Sequence, residues 1–316
     1  MNKPDIPGTA GHYAPWLADT HRRVRAGLAR LHPWLAEFII FGFKQGWACL
    51  FGGLMLGMLI VSKLIWQPHW PMARYDALLV SAFLVQAAML ALKLETWEEA
   101  KVIFLFHLVG TAMEVFKTAM GSWSYPEPSL IRIGDVPLFT GFMYACVGSY
   151  IARVIRIFDM RFVAYPPFWA TGDLAVAIYV NFLSHHYDWD ARYVLFACTF
   201  LVFWRTRIYF TVDVTARWMP LLLAAFLTSV FLWIAENIGT VTGTWLYPNQ
   251  KGAGWRPVTL HKMGAWYLLL VISFVLAIVI GFTLGVLVGE TVFGERAVMP
   301  YLVAIDTMPK VAFAPI

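Results

Sequence analysis

Two glutamates lie inside long apolar runs, and each opens the same pattern of residues. Glu114-Val-Phe-Lys-Thr-Ala-Met-Gly121-Ser-Trp123-Ser-Tyr125-Pro126 aligns without a gap with Glu236-Asn-Ile-Gly-Thr-Val-Thr-Gly243-Thr-Trp245-Leu-Tyr247-Pro248, and six of the thirteen positions are identical. A charged side chain at that depth in a bilayer costs about 2.5–3.5 kcal/mol, so it is expected to face a partner, a cavity or the bundle interior. The run before Tyr187 ends in Asn181, His185 and His186, which the expected topology puts at the same level. Glu114, Glu236, Asn237, His185 and His186 are therefore the candidate catalytic groups. His107 lies two turns from Glu114 on the same helix face. With Trp123, Tyr125, Trp245 and Tyr247 it makes the candidate substrate-contacting set.

Two chemistries fit these residue types. A carboxylate pair with histidines can hold a divalent metal, although no tight spacing such as HExxH is present. A carboxyl group beside a histidine can instead do acid–base work on an apolar substrate. Each residue also has a purely structural reading. Glu114 can pair with Lys117 one turn on, Glu236 and Asn237 can bridge helices, His185 and His186 can sit in solvent, and His107 can be a core histidine. The tryptophans and tyrosines can be interface anchors.

The elements that position these residues follow from hydropathy. The chain of 316 residues is 60% hydrophobic and only 14% charged, with a mean hydropathy of +0.65. Apolar runs near 38–62, 76–92, 99–120, 137–158, 166–184, 191–211, 218–241 and 263–289 each approach the length that crosses a bilayer. They are continuous rather than alternating, which favours helices over barrel strands. The expected fold is all-α, a polytopic transmembrane bundle of about eight spans. With both termini inside, fifteen Lys and Arg lie on cytoplasmic segments against seven outside, in keeping with the positive-inside rule. The two motifs then end the third and seventh spans on one side, as a parallel internal repeat of the kind found in transporters. Cys49, Cys146 and Cys198 lie far apart inside apolar runs and read as packed thiols.

Long stretches carry a family resemblance: YDALLVSAFLVQAAML, LETWEEAKVIFLFHLVGTAMEVFKTAMGSWSYPEP, VPLFTGFMYACVGSY, NFLSHH, WIAENIGTVTGTWLYPNQ and HKMGAWYLLLVISFV. Through them residues about 38–275 resemble the bacterial membrane-protein family of domain of unknown function 817. The resemblance implies a multi-pass protein of the bacterial inner membrane and no assigned activity. Its ExxxxxxGxWxY…VPL pattern is loosely similar to membrane enzymes of carotenoid biosynthesis. Residues 276–316 resemble instead a permease segment of nitrate- and taurine-type ABC transporters, through GxxxGxxxGE and ERAxxPYLVAxxxxPKVAxAP. That fragment lacks the coupling loop, so an ATPase partner is implied only if the tail functions.

The expected organisation is thus a basic segment 1–36, a transmembrane domain 37–275 and a permease-like fragment 276–316. Membrane lipids are the expected partners, and no nucleic-acid motif is present. No phosphate-cradling Gly loop or Ser nucleophile elbow appears, and no cofactor is indicated. Three functions stay open. They are an intramembrane enzyme acting on a lipid or isoprenoid, a small-solute or ion transporter, and a non-catalytic accessory protein.

Overall fold

The computed structural model describes Gly27 and residues 32–288 other than 68, 188, 214, 215 and 253, with side chains as far as residue 275. Among these residues the chain runs through α1 (Pro33–Ala48), α2 (Leu50–Ile65), α3 (Arg74–Ala91) and α4 (Trp97–Ala119). There follow β1 (Arg132–Ile133), β2 (Val136–Pro137), α5 (Thr140–Ile157), β3 (Arg161–Val163), α6 (Phe168–Ser184) and α7 (Arg192–Phe203). The remainder is β4 (Arg207–Thr211), β5 (Ala216–Pro220), α8 (Leu221–Val241), a 3-10 turn at Pro248–Gln250 and α9 (Leu260–Val288).

Local chemistry sets several of these limits. Thr96 caps α4 by accepting the Glu99 N–H at 3.2 Å, while the Glu99 carboxylate accepts the Thr96 N–H at 2.8 Å. Pro167 and Pro220 precede α6 and α8, where a missing N–H removes no helical bond.

Three helices, α3, α4 and α8, are long and apolar enough to cross a membrane, and α1 with α2 would make a fourth. Among the described residues only 11% of an 18-residue stretch of α8 is buried. The protein is therefore mostly helical, with apolar helices of spanning character. Two expectations need correction. The run 38–62 is not one straight helix: α1 and α2 meet at Cys49 with a bend of 69°. The run 191–211 is not helical throughout either, because α7 stops at Phe203 and residues 207–211 form a strand. That strand pairs with β3 on one side and β5 on the other, both antiparallel, with Ile208 opposite Phe162 and Met219. The fold is thus not purely helical. Ile208 and Phe210 point inward and the residues between them are more exposed, the period of a sheet packed on one face.

The small sheet marks one end of the bundle, and the loops after α4, α6 and α8 gather at the other, here called the motif end. Between them α4 and α5 pack most closely, with Gly110 beneath Tyr144, Gly141 beneath His107 and Thr111, and Gly148 beneath Phe106. Small residues at such crossings let backbones approach where hydrophobic burial gives little drive. Toward the sheet end, buried charges pair along the same two helices. Arg156 Nε lies 3.0 Å from Glu99, and Glu95 accepts from Gln86 at 2.6 Å and from Ser149 at 2.8 Å. Arg153 is fully buried and donates to the carbonyls of Leu94 and Trp47.

Candidate functional site

Both motif helices end in the same turn. Gly121 and Gly243 take φ of +70° and +66°, left-handed values open to glycine. The next N–H, of Ser122 or Thr244, returns to Lys117 O at 3.0 Å or to Gly239 O at 2.9 Å. This reversal lays the following residues back along the helix they have just left. Trp123 Nε1 then donates to Glu114 Oε2 at 2.7 Å, and the Tyr125 hydroxyl donates to the same oxygen at 2.5 Å. In the second motif Trp245 Nε1 donates to Glu236 Oε1 at 3.0 Å, joined by the Tyr247 hydroxyl, while Trp266 Nε1 reaches Oε2 at 3.0 Å. Trp123, Trp245 and Tyr247 are each at most 9% exposed, so these rings are turned inward and are not interface anchors.

The two motifs also bond to each other. Ser124 N donates to Leu246 O at 3.0 Å and Leu246 N to Ser124 O at 2.9 Å, a single antiparallel bridge. Ser124 and Leu246 are the same position of the aligned motifs, so the two stretches pair at matching positions. The start of α3 ties this arrangement down. Arg74 donates to Thr242 O at 3.3 Å and Thr244 Oγ1 at 2.8 Å, Tyr75 donates to Thr244 O at 2.7 Å, and Arg74 pairs with Glu127 at 3.2 Å.

Beneath the bridge lies a mostly apolar cavity of about 100 Å³ whose walls include Glu114, Glu236, Tyr144, Phe182, Lys262 and Trp266. The Trp123 and Tyr247 rings also line it and meet edge to face at 6.2 Å. Lys262 Nζ lies 5.1 Å from the Trp123 ring centre and 4.4 Å from that of Tyr247. Two carboxylates and one ammonium sum to −1, so one added proton or monovalent cation would leave the set neutral. Among the described residues no group of three or more His, Cys, Asp and Glu could hold a metal ion.

The other candidates stand nearby but outside this cavity. Asn237 donates to Trp233 O at 2.8 Å and accepts Val258 N–H at 2.9 Å, fastening the approach to α9. His107 packs on the Phe142 ring, 4.4 Å between centres. His185 Nδ1 lies 3.0 Å from Asn181 O, and His186 Nε2 lies 3.0 Å from Lys117 Nζ and 3.2 Å from Ser122 Oγ. Lys117 therefore turns toward α6, where it also donates to Phe182 O and covers the Phe182 ring, and Glu114 bonds the aromatic donors instead. Tyr144, Lys262 and Trp266 belong to no motif, and nothing in the repeat points to them. The one available signal was that Lys262 and Trp266 share a face of α9 at its start.

The histidine pair gives a pH expectation. Burial, and then the Lys117 ammonium, push the His185 and His186 imidazoles below their ordinary 6.5. The unfolded chain then binds more protons than the folded one just below that value, so this stabilisation is present above pH 6.5 and fades as pH falls. Melting temperature should fall more steeply between about pH 6.5 and 5 in the native chain than in a His185→Gln/His186→Gln variant. Parallel curves would show that neither imidazole is perturbed.

The family model described as protein of unknown function (DUF817) matches residues 37–274. The chain belongs to that family. It is also similar to the uncharacterized protein YoaT of Bacillus subtilis (strain 168), 43% identical over 242 residues that cover 77% of this chain and 90% of the relative. No solved structure matches. The family match stops at 274, so it lends nothing to the permease-like reading of 276–316, and residues 289–316 lie outside the described residues, as do those of the basic segment before Gly27.

Proposed function

We propose that this is a multi-pass protein of the bacterial cytoplasmic membrane, with about eight spans and both ends inside, in which a duplicated motif forms an acid–base site for a lipid or isoprenoid. The observation that carries the reading is the pair of buried carboxyl groups in one apolar cavity, each held by an indole N–H and a phenol O–H. Such donors fix where each carboxyl oxygen points, as acid–base catalysis requires. The volume of about 100 Å³ suits only the reacting end of a long molecule, whose chain would remain in the bilayer. In the simplest reaction one carboxyl group gives a proton to one end of a substrate double bond, and the other carboxylate takes one from the carbon next to its other end. A double bond shifts, both carboxyl groups exchange protonation state, and nothing is oxidised.

The alternative is a small-solute or ion transporter built on the repeat. Alternating access needs one repeat to move against the other. The Ser124–Leu246 bridge and the Arg74 and Tyr75 ties fasten the motif-end faces together, which favours a fixed site reached from the membrane.

The test is solvent deuterium incorporation. Purified protein incubated in D2O with extracted membrane lipids should place deuterium on carbon in one lipid class. Glu114→Gln and Glu236→Gln should each lower the rate by about a hundredfold or more, the scale of a general acid or base. No incorporation by the native chain, or equal incorporation by both variants, would end the acid–base reading.

A further inference from the structure

The Lys262 side chain occupies an unusual place. Among the described residues its ammonium makes no hydrogen bond and no ion pair, yet it lies within 5.1 Å of the centre of one ring and 4.4 Å of another. A half-buried ammonium without a protein acceptor leans on whatever else stabilises its charge. Here that stabilisation comes from the faces of Trp123 and Tyr247 and from the field of Glu114 and Glu236 across the same cavity. The surroundings therefore favour positive charge without offering it directional bonds. A primary ammonium uses such surroundings poorly, because it forfeits its hydrogen bonds. A methylated ammonium has no N–H to satisfy and uses them well.

We propose that the Glu114/Glu236 cavity is a binding site for a quaternary ammonium head group, with the Lys262 ammonium as a built-in occupant that the ligand displaces. Three features support this class over a metal or an anion. Two carboxyl groups share the cavity with one lysine, so a monovalent cation that displaces Lys262 meets acidic oxygens, whereas an anion would be repelled by them. The walls are mostly apolar, and six of the lining side chains are the indoles and phenols of Trp123, Tyr125, Tyr144, Trp245, Tyr247 and Trp266. An apolar cavity of roughly 150 Å³ takes up benzene, a six-carbon ligand, so about 100 Å³ suits a head of four or five heavy atoms such as trimethylammonium. The site shares its cavity with the acid–base reading but needs no turnover, so binding without reaction would leave this proposal standing.

Tetramethylammonium chloride is the probe, titrated into the purified full chain in a non-ionic detergent, with sodium chloride as the matched salt control. Tryptophan fluorescence reports on the cavity, because three of its walls are indoles. The expected result is a saturable change with tetramethylammonium and none with sodium. Lys262→Met should tighten binding roughly tenfold by removing the internal competitor, and Glu236→Gln should weaken it by a similar factor. Gly172→Ala, in α6 and outside the cavity, should leave it unchanged. If Lys262→Met does not fold, Lys262→Gln makes the same test, since it also lacks the charge. Absence of saturable binding in both native and Lys262-substituted protein would overturn the proposal. So would weaker binding after Lys262 is replaced, which would make the lysine part of the ligand site and not its competitor.

Discussion

Glu236→Leu should be among the most destabilising single substitutions in this protein, with Glu114→Leu close to it. Glu236 accepts from Trp245, Tyr247 and Trp266, and Glu114 accepts from Trp123, Tyr125 and Tyr144. Leucine fills the space but leaves three buried donors without an acceptor. Each such donor costs about 1–3 kcal/mol. One effect opposes this, since removing a buried carboxylate relieves the desolvation of its charge. Glutamine separates the two, because Glu236→Gln removes the charge but keeps one carbonyl oxygen facing the donors. The expected order of melting temperature in detergent is native, then Glu236→Gln, then Glu236→Leu, with several kcal/mol between the ends. If leucine were as stable as glutamine, the donors would be finding other partners and the cage would not hold this end together.

How much of this could be read beforehand depends on the kind of signal. The cage was legible because it is local: Glu, Trp and Tyr recur at fixed spacing around a glycine, and the hydrogen bonds span nine and eleven residues. The repeat named both carboxylates and the four ring residues before any helix was placed. What it could not convey was direction. Hydropathy puts tryptophans at run ends in the interface, and only the left-handed turns at Gly121 and Gly243 carry them back to the glutamates. The partners from elsewhere were invisible for a different reason. Tyr144, Lys262 and Trp266 reach the cavity through helix packing, which leaves no mark at a fixed spacing.

Errors about elements have similar physical origins. Near Cys49 no proline breaks the apolar run, so 38–62 reads as one helix although it bends by 69°. In 207–211 a period of two was present, with Ile208 and Phe210 alternating against Arg207 and Tyr209. An apolar segment that follows α7 so closely is easily absorbed into its count. Depth matching put His185, His186 and Asn237 beside the glutamates, but depth alone says nothing of azimuth. Asn237 follows Glu236 by one residue, about 100° around the helix, and so faces Trp233 and Val258 instead of the cavity.

Gly239→Ala should be disruptive out of proportion to the single methyl group it adds. A Cβ at this position would lie 1.9 Å from Trp245 Cη2, 2.1 Å from Cζ2 and 2.6 Å from Cζ3, distances that no side chain tolerates. The indole cannot easily give way, because it is buried and its N–H is committed to Glu236. Either α8 moves from the turn that covers it or the ring rotates off the carboxylate, breaking one copy of the cage. Overpacking of this kind costs about 1–3 kcal/mol or more. The first motif carries Lys117 where the second carries Gly239, so Trp123 cannot lie over its own helix in the same way. Of the two motifs, the second alone depends on glycine here. Gly172, inside α6 and with nothing within 4 Å of the methyl that alanine would add, is the control. There alanine should be neutral or stabilise by about 0.5–1 kcal/mol through backbone entropy. Thermal melts of the two variants beside the native chain decide the matter. If Gly239→Ala melted with Gly172→Ala, Trp245 would have room to move, and the packing of indole on bare helix would not be what holds Glu236 in place.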